Sequence, residues 1–229
     1  MIRSSENVLL ALDTSTRTVG VALYDGFRVL SEFAWTSQDY HTVELAPSVA
    51  EAFAKADRNI DVLGAIAVAI GPGSFTGLRV SLALAKGLAL ARRIPLIGIP
   101  TMDVLATAQP LQTIPMVIVL RAGRGRLAVG WYQVTDESWM LASKLEVLSV
   151  EELAQEIRAP TLVCGELSNE ERILLEHEND NAQLASPAHC LRRPSFLAEL
   201  AWKRWQAKEI NDPISLAPIY LHYNDSIPI

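Results

Sequence analysis

Residues 8–35, VLLALDTSTRTVGVALYDGFRVLSEFAW, decide the fold class. Val8–Asp13 reads as a strand, and its run Val8–Leu12 is apolar without a break, the pattern of a strand covered on both faces. Thr18–Tyr24 (TVGVALY) carries enough β-branched and aromatic character for a second strand. Asp25-Gly26 between two apolar runs predicts a tight hairpin turn with φ > 0 at both residues. Phe27–Trp35 then completes an antiparallel meander. Working outward, His41–Asp57 has helical periodicity with Thr42 as its N-cap. Leu63–Ile70 returns as a strand, followed by a helix at Leu78–Arg93 and a short strand at Leu96–Ile99. A proline-punctuated break at Gln109–Pro115 marks a lobe boundary. Beyond it, strands are expected at Met116–Leu120, Leu127–Val134, Trp139–Leu145 and Thr161–Cys164. Helices are expected at Val150–Arg158, Asn169–His177 and Pro194–Lys208. Strands followed by helices, twice over, predict an α/β chain of two lobes, 1–108 and a smaller 109–229, with a C-terminal tail from Asn211 that packs back on the surface.

Half of the 229 residues are hydrophobic and 20% are charged, which excludes a disordered chain. No apolar stretch reaches the ~18–20 residues that span a bilayer, and the N-terminal apolar run is broken at Asp13, too early for a secretory h-region. Cys164 and Cys190 fit a reducing compartment in which thiols serve as small hydrophobes, a bridge between them being the lesser alternative. Together these features predict a soluble cytoplasmic protein with no membrane partner. A formal net charge of −6 lacks the basic footprint of an autonomous nucleic-acid binder.

The two first-lobe helices each carry two apolar stripes. On the first, Leu45, Val49, Ala52, Phe53 and Ala56 form a core face, while Val43, Pro47, Ala50 and Ala54 form a separate 4-3-4 stripe. On the second, Val80, Ala83, Leu84, Gly87, Leu88 and Ala91 read as the face that covers the sheet. Leu78, Leu82, Ala85 and Ala89 read as the second stripe. A 4-3-4 spacing of small residues is that of a helix-packing seam. The two stripes either pack on each other within the domain or form an exposed seam for another subunit. On the second reading, a charge at Leu82 or Ala85 removes partner binding and leaves the fold intact.

Candidate chemistry is sparse. Asp13-Thr14-Ser15-Thr16 ends the first strand, where a carboxylate and hydroxyls hold a metal-bound phosphate in actin-like ATPases and sugar kinases. The commoner role is a turn stabilised by its own side chains, and no glycine lies between Asp13 and Val19. Gly71-Pro72-Gly73-Ser74-Phe75-Thr76-Gly77 follows a strand and opens a helix, so its amides are placed either for an anion or for a tight turn. It is neither a Walker loop nor a nucleophile elbow. Asp13, Thr14, Ser15, Gly71, Gly73, Ser74 and Thr76 are therefore the residues of a degenerate nucleotide or anion site. His41, His177, His189 and His222 are scattered and show no metal-ligand spacing. Arg121, Arg124 and Arg126 form a basic turn of the kind that is usually solvated.

V-L-L-A-L-D-T-S-T at 8–16, H-T-V-E-L-A-P at 41–47, G-P-G-S-F-T-G-L-R at 71–79 with its A-K-G-L-A helix, and A-P-I-Y-L at 217–221 together resemble the TsaB (YeaZ) family of tRNA threonylcarbamoyladenosine biosynthesis. The resemblance covers the first 100 residues well, 121–210 thinly, and returns at the tail. It implies a two-lobed actin-like (ASKHA, ribonuclease H-like) fold with a reduced second lobe. It also implies a non-catalytic subunit that binds TsaD, the related enzyme that transfers threonylcarbamoyl to adenosine 37 of tRNAs reading ANN codons. TsaE, an ATPase, joins that assembly, and TsaC makes the threonylcarbamoyl-adenylate donor. The first-lobe helices would form both a homodimer and the TsaD heterodimer, with tRNA met only through the complex. No cofactor is implied for the isolated chain; ATP and a metal ion belong to the partner proteins. TsaD-like proteins carry His-x-x-x-His on the first of these helices; here His41 is followed by Leu45, which cannot ligate. The family's acidic D-A-R-x-G-E-V-Y-like stretch reads Arg121-Ala122-Gly123-Arg124-Gly125-Arg126-Leu127 in this chain. The wider family carries a peptidase M22 label, so a metallopeptidase is one alternative function. A small ATPase or kinase using Asp13 and the Gly71–Gly77 loop is the other.

Overall fold

The structure, a computed structural model, describes residues 7–38 and 41–221. β1 (Val8–Asp13), β2 (Thr18–Tyr24) and β3 (Val29–Thr36) form the antiparallel meander. α1 (His41–Lys55), a 3-10 turn at Ile60–Val62, β4 (Leu63–Ala69), α2 (Phe75–Arg92) and β5 (Leu96–Ile99) follow. β4 pairs parallel with β1, and β5 with β4, giving the order β3-β2-β1-β4-β5. α3 (Thr101–Thr107) leads into a second sheet built from β6 (Met116–Gly123), β7 (Arg126–Thr135), β8 (Ser138–Leu141) and β9 (Glu146–Leu148). α4 (Val150–Glu156), β10 (Thr161–Gly165), α5 (Asn169–Glu178), β11 (Ala182–Leu184) and α6 (Pro194–Gln206) complete the regular elements. The second sheet runs β11-β10-β6-β7-β8, with β9 also paired to β7.

β1 is apolar from Val8 to Leu12 because both faces of its sheet are covered. Leu10 and Leu12 pack with α1 and α2, while Leu9 and Ala11 pack with Leu197, Ala198 and Ala201 of α6. α6 follows the second sheet in the chain yet lies on the first sheet, so the lobe limits are not simple halves of the sequence. α3 joins the two lobes: Val104 packs under the first sheet, and Met102, Leu105 and Ala106 under the second. The tail also returns to the first lobe, where Asn211 bonds Leu96 and Gly98, and Ile219 N–H donates to Ile70 O.

Three local expectations change. Of the two turn residues only Gly26 has a positive φ, because the Asp25 carboxylate accepts from the amides of Phe27 and Arg28 and shapes a longer turn. Thr42 lies inside α1, which begins at His41. α3, β9 and β11 are too short to show a sequence period.

The larger correction concerns α2. Leu78, Leu82, Ala85 and Ala89, read above as the free stripe, are buried against β4 and β1, whereas Ala83, Gly87, Leu90 and Ala91 are exposed and Val80, Leu84 and Leu88 half-buried. The helix is apolar nearly all round, so composition does not rank its faces. The small residues lie underneath, where they let the helix axis approach the sheet. α1 is oriented as expected: Leu45, Val49, Ala52 and Phe53 are buried, and Val43, Pro47, Ala50 and Ala54 are exposed. Among the described residues no helix is long and apolar enough to cross a membrane.

Candidate functional site

The two motifs singled out in the sequence fold onto each other. β1 stops at Asp13 because its carboxylate accepts from Ser15 N–H at 2.8 Å and Ser15 Oγ at 2.5 Å. The glycine-rich loop then packs on this turn: Ser74 N–H donates to Ser15 O at 2.6 Å, and Thr14 Oγ1 donates to Gly77 O at 2.6 Å. A Cβ on Gly73 would collide with Ser15 O, and one on Gly77 with Thr14 O. These two glycines therefore permit close backbone approach. Ser74 caps α2 by accepting from Gly77 N–H. Asp13, Thr14, Ser15 and Gly71 are buried beneath the loop; only Gly73 and Ser74 of the seven residues line the adjoining cleft, and Thr76 faces the other way.

That cleft, about 960 Å³ between the lobes, has Thr16, Arg17, Ser74, Phe75, Glu166 and Tyr220 in its walls. Behind Thr16 and Glu166 lies a buried ion cluster. Arg192 is 2% exposed; its Nε donates to Asp13 Oδ2 at 2.9 Å, Nη1 to Glu166 Oε1 at 2.5 Å, and Nη2 to Thr16 Oγ1 at 2.7 Å. Burial would lower the Arg192 pKa, but Asp13 and Glu166 outweigh it, raise the pKa and keep the guanidinium charged. Thr16 Oγ1 in turn donates to Glu166 Oε1 at 2.5 Å. The fold's metal-bound nucleotide does not fit here. The Asp13 carboxylate is already engaged by an internal cation, and the glycine loop's Ser74 amide is spent on Ser15. Among the described residues no group of three or more His, Cys, Asp or Glu side chains is placed to hold a metal ion.

Arg192 and Glu166 are absent from the sequence-derived site. An Arg-Arg-Pro run before a helix reads as solvated, and nothing local shows that the first arginine turns inward across 179 positions to Asp13. The basic turn is also partnered. Arg121 makes a bidentate pair with Glu171, and Arg126 lies 3.0 Å from Glu152. Cys164 and Cys190 are free thiols in contact, Sγ to Sγ 3.9 Å. His222 and the tail beyond it lie outside the described residues.

A second concavity, about 460 Å³, lies between α1 and α2, with Ala46 of α1 facing Phe75, Arg79, Val80, Ala83 and Leu84 of α2. It is apolar and open. Phe75 in its wall is 55% exposed, and Val43, one helical turn before Ala46 on α1, is 65% exposed. The Arg79 guanidinium stacks on the Phe75 ring at 3.6 Å, which holds the aromatic upright at the groove's end. Leu45, in the position that would need a second histidine, packs in the core. Gly87 sits mid-helix on the exposed face, and a Cβ there would meet nothing within 4 Å. Nothing among the described residues explains that glycine.

The model of the TsaD family, tRNA N6-adenosine threonylcarbamoyltransferase, matches residues 29–188. The tRNA threonylcarbamoyladenosine biosynthesis protein TsaB of Bacillus subtilis is 31% identical over 223 residues, 93% of each chain. TsaB of Escherichia coli is 35% identical over 98 residues, 43% of this chain and 42% of that one. Among solved structures, YeaZ from Pseudomonas aeruginosa superposes with a TM-score of 0.76 at 26% identity, covering 94% of this chain and all of that one. The activator of 2-hydroxyisocaproyl-CoA dehydratase from Clostridium difficile, 8% identical with a TM-score of 0.50, shares the fold alone, the two-lobed actin-like one. The chain belongs to the TsaB (YeaZ) family.

Proposed function

We propose that this chain serves in tRNA threonylcarbamoyladenosine biosynthesis as a non-catalytic subunit that docks a TsaD-type threonylcarbamoyltransferase along the α1–α2 face. The observation that carries the reading is the open apolar groove between α1 and α2, together with Val43, Pro47, Ala50 and Ala54 of α1 and Ala83, Gly87 and Leu90 of α2, all exposed on the same two helices. Small residues on both helices let a partner helix approach closely. Two such helices are long enough to present the ~800 Å² per partner that a specific complex buries. The same surface would serve a homodimer, so a second copy and TsaD would compete for it.

The catalytic alternatives draw less support. A metallopeptidase needs a ligand at position 45, where a leucine points into the core. A kinase or ATPase needs the Asp13 carboxylate, which Arg192 holds. ATP and a metal ion are accordingly assigned to the partner proteins, TsaE among them, and tRNA to the assembled complex.

The test is to mix the purified chain with its cognate TsaD and follow size-exclusion chromatography with light scattering. Threonylcarbamoyl transfer to tRNA is then assayed with TsaC, TsaE, ATP, threonine and bicarbonate. A heteromeric peak, with transfer lost when this chain is omitted, is the expected result. No complex and transfer at full rate without this chain would overturn the reading.

A further inference from the structure

The segment between β11 and α6 is tied to β10 by two side-chain contacts in the same register. Cys164 on β10 and Glu166, the residue just after β10, are two positions apart, and Cys190 and Arg192 are two positions apart on the segment facing them. Cys164 meets Cys190 with the sulfurs 3.9 Å apart, and Glu166 meets Arg192 at 2.5 Å. The thiol pair and the buried ion pair are thus neighbouring rungs between the same two stretches of chain. Only one thiol of the pair is open to a reagent: Cys164 is fully buried, and Cys190 is half-buried.

We propose that Cys164 and Cys190 form a redox-reactive dithiol that small-molecule disulfides oxidise to an intramolecular bond, fastening the Arg192 segment to β10.

The geometry sets the order of events. Cys190, the reachable sulfur, attacks one sulfur of the oxidant as its thiolate. The oxidant's S–S bond breaks and one thiolate leaves, giving a mixed disulfide at Cys190. Cys164 then loses its proton to solvent and attacks the Cys190 sulfur, expelling the second thiolate. The protein gives up two protons and two electrons, which reduce the oxidant to two thiols. The electrostatics favour that order. The hydrogen bond from Cys164 makes Cys190 the more acidic thiol, burial opposes the shift, and Arg172 adds to it; Cys164 itself is raised by that hydrogen bond and by burial. Closing from 3.9 Å to a bonded ~2.0 Å requires a modest move of one side chain. Cys190 lies in a turn at 186–190, outside regular helix or strand, where such a move disturbs no sheet ladder.

The test uses the full-length chain, reduced and then exposed to oxidised glutathione. Intact mass is expected to fall by two hydrogens with no lasting adduct. Trypsin, cutting after Arg158, Arg172 and Arg192, should release peptide 159–172 linked to 173–192. Cys164→Ser should trap a stable glutathione adduct at Cys190, and Cys190→Ser should react at least about ten-fold more slowly. Hydrogen exchange across 186–193 should slow in the oxidised chain. A persistent adduct in the unsubstituted chain, or thiols left intact under conditions that oxidise the urea-unfolded chain, would overturn the dithiol. Equal modification of the two single-cysteine variants would overturn the order of attack. Unchanged exchange at 186–193 would overturn the fastening.

Discussion

Arg192 Nε sits 2.9 Å from Asp13 Oδ2, so the carboxylate at the end of the first strand is neutralised by a side chain 179 positions away. Because the same guanidinium reaches Glu166, just after β10, one buried cation joins the two lobes behind their cleft. The contacts to Asp13 and Thr16 on one side and Glu166 on the other are all made within the chain.

Removing the cation should therefore be costly. Arg192→Met leaves the buried Asp13 without its counter-charge and Glu166 with less. The expected loss is about 3–5 kcal/mol, the range for breaking a buried pair from one side. Urea unfolding followed by circular dichroism measures it. The double variant Arg192→Met/Asp13→Asn should recover part of the loss, because the stranded charge is gone. A single variant within about 0.5 kcal/mol of the parent would show the cluster to be energetically idle.

Acid should loosen α6 before it touches the rest of the first lobe. Glu32 on β3 accepts from Ser195 N–H at 3.0 Å and Ser195 Oγ at 2.6 Å and pairs with Arg193, fixing the start of α6. Burial pushes its pKa up, but those hydrogen bonds outweigh burial and hold it below the ordinary 4.5. A carboxylate depressed in the folded state contributes stability that is present above its unfolded pKa and lost as pH falls through the folded one. Exchange of α6 amides should accelerate as pH drops below about 4.5, after correction for the intrinsic rate. Glu32→Gln should remove that dependence and cost about 1 kcal/mol at neutral pH, a modest figure because Arg193 is half-exposed and screened. An identical acid profile for the two chains would refute the assignment.

How much of this was legible in the sequence depends on the range of the signal. β1 to β3 could be read from residues 8–35 because apolar runs and turn chemistry are local. The α1 faces were legible because Glu44, Ser48, Glu51 and Lys55 mark the side away from the core. On α2 the polar markers are too few. Arg79 and Lys86 border both candidate faces, and choosing between Leu82 and Leu84 depends on what lies beneath. The α6 helix is legible from its own residues, but its partner sheet is set by topology. The site was half legible. The Asp13 turn and the Gly71–Gly77 loop stood out, yet their mutual packing and the arrival of Arg192 are long-range facts that no spacing encodes.

The reversal of α2 changes what mutagenesis should show. Leu82 and Ala85 are buried, so Leu82→Glu or Ala85→Glu should unfold the first lobe, and any loss of partner binding from them would be uninformative. Ala46→Glu and Ala83→Glu, at exposed positions, place the charge in the groove. They should leave the thermal transition within a few degrees of the parent while abolishing the TsaD complex in size-exclusion chromatography. Persistence of the complex in both groove variants would move the docking site elsewhere.

Gly87 separates stability from docking at a single position. A glycine in a helix interior is about 0.5–1 kcal/mol worse than alanine. The open space around it means that a Cβ causes no clash within the chain. Gly87→Ala should therefore stabilise the isolated chain by about that amount. Gly87→Trp should also fold, since its ring points to solvent, but it holds any partner helix away from α2. If Gly87→Trp folds and binds TsaD with undiminished affinity in calorimetry, the glycine is not there for close approach. If it folds and fails to bind while Gly87→Ala is the more stable chain, the glycine is a concession of stability to the interface. That outcome would also place the contact over the middle of α2, well away from the inter-lobe cleft.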